Sequence, residues 1–277
     1  MMRKTLLIAL STFSQIHSAQ ASWFADTPLQ PVYQALVNNQ PQLAWQELIL
    51  AMSNNSIDSQ YWLPAKQEIL KQTSCGQELF NRDESLPAQI SVTFIRRSGL
   101  SSQGFQIKLS AEGTTKDSIV ELISPSSKIL LHTSLSKKTE YQEFETEEML
   151  NKPMAGIYTL NINQKPYLLL ITMPNNKSWI TYDSTANTVH TLPQKSIDSC
   201  SQALSSWQWF DTTYAMLGGK IPIDTEVAPI PVSPYQKAKH LSASVSVYEY
   251  QQGIKVGYVQ RISIPFSPIT LERKNQT

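Results

Sequence analysis

Residues 88–109 read AQISVTFIRRSGLSSQGFQIKL, and their period decides the fold class. Apolar and polar side chains alternate over 88–95 and again over 104–109, with a polar turn region between the two runs. Successive strand residues face opposite sides, so the pattern predicts two half-buried strands. The same period continues downstream at 118–123, 128–132, 139–146, 156–162 and 167–173, with turn signals such as Ser124-Pro125 between runs. Short strands at regular spacing describe an antiparallel β-sandwich over residues 87–173.

Upstream the period becomes helical. Leu29, Val32, Tyr33, Leu36 and Val37 recur at the spacing of one helix face. Thr27-Pro28-Leu29-Gln30 offers a capping box with proline at the first helical position. Pro41 opens a second helix with Trp45, Leu48, Ile49 and Met52 on one stripe. A third run, 59–72, carries Trp62, Ala65 and Ile69, and Pro64 fits it only within a first turn. Residues 22–80 are expected to form a helical hairpin module, which resembles about one and a half tetratricopeptide-type units.

Residues 174–277 are expected to be a mixed, β-rich segment. Runs at 179–182 and 188–192 pair as one hairpin, and 241–250 with 255–266 as a final one about Gln251-Gln252-Gly253. Between them, 196–217 holds Cys200 and an aromatic cluster of Trp207, Trp209, Phe210 and Tyr214. Leu204, Trp207, Phe210, Tyr214 and Leu217 suit a helix stopped by Gly218-Gly219, while Trp207-Gln208-Trp209 also suits a strand. Pro222, Pro229, Pro231 and Pro234 mark an extended, exposed connector over 222–234. The fold class is α+β: a helical hairpin module, then an antiparallel sandwich, then the mixed segment.

Three stretches carry a family resemblance: SIVELISPSSKILLHTS (118–134), EFETEEMLNKPMAGIYTLNIN (143–163) and KPYLLLITM (165–173). Together they resemble the bacterial pre-peptidase C-terminal domain, a small β-sandwich. Pro125 stands at that family's proline-bearing turn, and residues 155–160, AGIYTL, at its late strand. The family's acidic, calcium-associated positions are not evident, so calcium binding is not implied. The resemblance implies an accessory exported sandwich rather than an enzyme. The whole chain also resembles uncharacterised exported proteobacterial proteins.

Residues 1–21 read as a secretory signal peptide. Arg3 and Lys4 form its basic region, residues 6–13 its apolar core, and Ala19-Gln20-Ala21 its cleavage site, leaving Ser22 as the mature N-terminus. No apolar run reaches the ~18–20 residues of a membrane span, so no transmembrane anchor is expected. Losing Arg3 and Lys4 turns 23 basic against 22 acidic residues into 21 against 22. That near-neutral balance has no footprint for nucleic acid. Charged residues are 16% of the chain, against roughly 25% in an average domain. A periplasmic or secreted location favours a disulfide between the only two cysteines, Cys75 and Cys200, over two buried thiols. Such a bridge would clamp the helical module to the mixed segment.

No catalytic or metal motif stands out. Gly99-Leu-Ser-Ser-Gln-Gly104 has the wrong spacing for a nucleophile elbow, and Ser134-Leu-Ser-Lys137 lacks the partner motifs of a Ser-Lys enzyme. His132, His190 and His240 are scattered, so no zinc or other cofactor is expected. Glu143, Glu145, Glu147 and Glu148 could bind calcium or serve glycoside chemistry, but they read better as a solvated strand end that blunts an edge. The leading expectation is a non-enzymatic accessory or adaptor protein that holds another envelope protein. The alternative is a glycan or peptidoglycan binder presenting Trp207, Trp209 and Tyr214 as exposed aromatics.

Overall fold

A computed structural model describes residues 27–79, 86–99, 103–174, 177–192 and 200–265. The expected signal peptide with its Ala21/Ser22 cleavage site, and Trp23, lie outside the described residues.

Three helices come first: α1 (Gln30–Val37), α2 (Pro41–Asn54) and α3 (Ser59–Gln72). The expected capping box at Thr27 is not made. Leu29 is the N-cap without a side-chain bond, and the Thr27 carbonyl accepts from Gln30 N at 2.9 Å. Asp58 does cap α3, accepting from Gln60 N at 2.9 Å. Pro64 lies in the second turn of α3, beyond the place the sequence allows it, and the helix runs through. The carbonyl it leaves without a partner belongs to exposed Gln60 and can turn to water, while burial of Trp62, Ala65 and Ile69 holds the helix. Trp45, Leu48, Trp62 and Ile69 form one core with Leu170, so the helices pack on a sheet.

The strands are β1 (Gln89–Ser98), β2 (Gln103–Glu112), β3 (Ser118–Ile123), β4 (Ile129–Leu135), β5 (Gln142–Glu145), β6 (Gly156–Ile162) and β7 (Lys165–Ile171), then β8 (Ile180–Asp183), β9 (Thr188–Thr191), β10 (Leu204–Phe210), β11 (Met216–Pro222), β12 (Val227–Pro229), β13 (His240–Gln251) and β14 (Ile254–Ile264). A seven-stranded sheet runs β11-β10-β13-β14-β1-β2-β5, a four-stranded one β4-β3-β6-β7, and a three-stranded one β12-β9-β8. Every pair is antiparallel except β1 with β14, where Ser91 lies beside Lys255 and Arg97 beside Arg261. Strands β1, β2 and β5 therefore share one sheet with β10, β11, β13 and β14. One face of it packs on the smaller sheets, as Phe94 shows by meeting Tyr158 of β6 edge-on at 5.3 Å.

The aromatic segment is strand β10, and not the expected helix. Trp207 and Trp209, two apart, both point into the core, and β13 supplies a full-length partner from Leu204↔Ser246 to Phe210↔His240. That non-local pairing overrides the helical spacing of Leu204, Trp207, Phe210, Tyr214 and Leu217. Gly218 and Gly219 lie inside β11 and stop no helix. The proline connector is partly a strand: Pro229 ends β12, an edge position where its missing N–H costs nothing. The last hairpin turns at Gln252 (φ 51°) and Gly253 (φ 78°), the two positive angles of a type I′ turn.

The link from α3 to the sheet is tight. Tyr250 N donates to the Cys75 carbonyl at 2.7 Å, and Gly76 (φ +88°) sits so close that a Cβ there would land on the Tyr250 carbonyl oxygen. Gly76→Ala meets both a left-handed backbone and that clash. It is expected to cost about 2–3 kcal/mol in urea denaturation, where an open site would cost about 1.

Candidate functional site

A cleft of about 730 Å³ lies between α3 and the β13–β14 hairpin, within the ~300–1,000 Å³ typical of ligand sites. Leu63 and Pro64 of α3 form one wall and Met173, Pro174 and Trp179 the other. Lys71 and Lys177 stand exposed at its rim, with Glu68 between the α3 residues. Cys200 closes one side. A smaller cleft of about 360 Å³ shares Met173, Pro174, Trp179 and Tyr258 with the first and adds Arg96 and Lys152 at its far end.

The floor is a buried polar cluster. Lys66 points inward from α3 and its Nζ donates to Glu249 Oε1 of β13 at 2.7 Å, both residues being buried. The same oxygen accepts from Tyr258 Oη at 3.0 Å and from Gln251 Nε2 at 2.6 Å. Burial, and then the Glu249 carboxylate beside it, hold the Tyr258 phenol well above its usual pKa, so it stays a neutral donor. Gln251 does a second task. Its amide accepts from Leu170 N at 2.7 Å and donates to Leu170 O at 3.0 Å, standing in for a neighbouring strand beside β7. Gln260 repeats the device on the next segment, accepting from Trp179 N at 2.7 Å and donating to Lys177 O at 3.0 Å.

The hydrogen bonds of this cluster tie α3, β13, β14 and β7 together. Lys66 and Glu249 are spent on each other beneath the cleft. Among the described residues no three His, Cys, Asp or Glu side chains converge as a metal would need. Among them, too, no helix is long and apolar enough to cross a membrane.

The structure joins Cys75 and Cys200 as a disulfide, with Cα atoms 5.4 Å apart, across 125 residues. Trp207 and Trp209 are 3% and 0% exposed, so neither offers a face to a sugar, and the exposed-indole reading is corrected. Bulky aromatics on the inner face of a central strand are core residues. Tyr214 is exposed, but its ring stacks on His240 at 4.1 Å and stands apart from the indoles. The space between the helices is filled by Trp45 and Trp62; the open cleft lies on the other side of α3. Lys66, Glu249 and Tyr258 are absent from the sequence reading, and Gln251 enters it only as a turn residue. One signal for them existed: Glu249 and Gln251 hold the inward parity of Val245 and Val247.

The model of a family described as "Protein of unknown function (DUF2861)" matches residues 23–267. No curated protein matches. Among solved structures, a biofilm-associated protein BSP domain is similar at 14% identity with a TM-score of 0.20. That likeness covers 65% of this chain and 30% of the other.

Proposed function

The chain belongs to the DUF2861 family, whose function is unknown, and from that premise we propose that it is a non-enzymatic accessory or adaptor protein of the cell envelope that holds another protein. The observation that carries the reading is the pair of adjoining clefts. Their apolar walls share Met173, Pro174 and Trp179, and Lys71, Lys177 and Lys152 stand at their rims. An extended partner segment with apolar side chains and a carboxylate matches that combination. The likeness of residues 88–173 to the pre-peptidase C-terminal sandwich supports an accessory role over a catalytic one. The leader-like residues 1–21 and the cysteine pair support a periplasmic or secreted location.

The test is site-directed photo-crosslinking in intact cells expressing the full chain. A crosslinker at Leu63, in the cleft, is expected to capture one dominant envelope protein. Lys71→Glu with Lys177→Glu should abolish the capture. A crosslinker at Ile119, exposed on β3, is the control. The same adducts from both positions, or none from Leu63, would reject the reading.

A further inference from the structure

The seven-stranded sheet has a second face, opposite the one bearing Phe94, Tyr258 and Glu249. Strand parity and register put Arg97, Lys108, Lys255 and Arg261 on it, together with Ser206, Ser244 and Ser246. Lys220 belongs there too: on β11 it lies near the register position of Gln208, whose cross-strand partner on β13 is Ser242.

The middle strands of this face are partly covered. Ile95, Val259, Ser244 and Ser246 lie on it and are buried, at 1%, 7%, 5% and 2% exposure. Lys220 and Lys108 stand five strands apart in the sheet order, roughly 24 Å if the sheet were flat. Yet Lys220, itself an exposed residue, has its ammonium pKa lowered by partial desolvation and then by Arg261, Lys108 and Lys255. That coupling across five strands, together with the covered middle, is what a trough with cations on both flanks gives.

At its floor Arg97 and Arg261 are register partners on adjacent strands, so their guanidinium groups project side by side from backbones roughly 4.8 Å apart. Neither makes a hydrogen bond or ion pair among the described residues. Desolvation and then Arg97 hold Arg261 below its usual pKa, with Glu145 and Glu143 of β5 as a partial counterweight. Beside Arg261 the row continues through Ser244 and Ser206, whose hydroxyls lie 3.3 Å apart. Two short side chains there stand next to two long cations. On the other flank the Glu148 carboxylate lies over Gly104, the β2 neighbour of Arg97, without an ion pair to it. Lys108 is already paired with Glu143 at 3.2 Å.

We propose that this trough is an anion site for a phosphate group, held between the Arg97 and Arg261 guanidiniums, with Lys220 and the Ser206 and Ser244 hydroxyls completing the shell. Two adjacent guanidiniums present parallel N–H pairs that a tetrahedral dianion can accept from simultaneously, which a single carboxylate cannot do as well. The wall of the trough lowers the local dielectric and focuses the positive potential on that point. Glu143 and Glu145, which register places on the same face, offset only part of the repulsion among these cations, and a bound dianion relieves the rest. The site is separate from the α3 cleft, so it stands or falls independently of the adaptor reading.

Two sources share this chemistry: a soluble phosphorylated molecule and a lipid headgroup. Isothermal titration of the full chain with inorganic pyrophosphate, and co-sedimentation with phosphatidylcholine vesicles containing phosphatidylglycerol, separate them. Pyrophosphate alone binding assigns a soluble ligand; vesicles alone binding assigns a headgroup. In either arm Arg97→Gln and Arg261→Gln should each weaken binding about tenfold or more. Lys128→Gln, which removes the same charge from a distant turn, should change it less than twofold. Glu148→Gln is the complementary variant: by removing the competing carboxylate it should tighten binding, so the inference does not hang on an arginine variant folding. No binding in either arm, or binding equally weakened by Arg261→Gln and Lys128→Gln, would overturn the site.

Discussion

Lys66→Met is expected to cost about 3–5 kcal/mol of stability, among the largest effects of any single substitution in this fold. The reason is what it leaves behind. Glu249 sits below the cleft with one oxygen accepting from Lys66, Tyr258 and Gln251. Without the ammonium a carboxylate would remain in a desolvated site with only two neutral donors. An exposed ion pair costs at most about 1 kcal/mol to remove, so the size of the loss reports the burial. The decisive variant is the double one, Lys66→Met with Glu249→Gln. The new amide keeps an oxygen for Tyr258 and Gln251 but carries no charge, so the double variant should recover at least half of the loss. Equal losses in the single and double variants would mean that the cost is packing of the lysine stem. A pH scan checks the same site. Tyr258 keeps its proton in the fold above pH 10.0, its ordinary pKa, where the unfolded chain gives its tyrosine proton up. Its contribution is therefore fully present below about pH 10 and is lost as pH rises beyond it.

The elements that could be read from sequence share one property. In β1–β2, β3–β4, β6–β7, β8–β9 and β13–β14, each strand pairs with its sequence neighbour, so alternation and a turn contain all the information. The helices were equally local. What local pattern does not contain is the parallel join of β1 to β14, a contact between Ser91 and Lys255 that no turn specifies. The same limit produced the wrong reading of 204–217. Helical spacing and strand parity both fit that aromatic run, and only its pairing with β13, brought by a distant part of the chain, decides between them.

The site was less legible than the fold, for a related physical reason. Lys66 and Glu249 are 183 residues apart, and each looks ordinary alone. Lys66 adjoins Ala65 beside an apolar helical stripe, where a lysine normally lies along the surface with its head in water. Only burial on both sides turns it into half of an ion pair. The cation trough has the same character: Arg97 and Arg261 become neighbours through the parallel join alone.

Opening the Cys75–Cys200 bridge, by Cys200→Ser or by reduction, is expected to lower stability by about 3–5 kcal/mol. A closed loop spanning 125 residues restricts the unfolded chain by about 5 kcal/mol in the chain-entropy account. The folded side argues for somewhat less. Cys75 is already fixed by its N–H to the Leu70 carbonyl at 2.8 Å and by its carbonyl to Tyr250 N, so the reduced protein keeps that corner in place. Cys200, which is exposed and lines the α3 cleft, has the weaker support and should loosen on reduction. Two measurements then separate the roles of the bridge. Guanidinium unfolding with and without reductant gives the stability term. Crosslinking from Leu63 under the same reductant, well below the unfolding midpoint, reports whether the cleft wall is held by the bond. A large midpoint shift with unchanged crosslinking makes the bridge a clamp on the fold alone; loss of both ties the cleft to the oxidised state. An unchanged midpoint, or separate Cys75 and Cys200 peptides in a non-reducing digest, would remove the bridge from the account altogether.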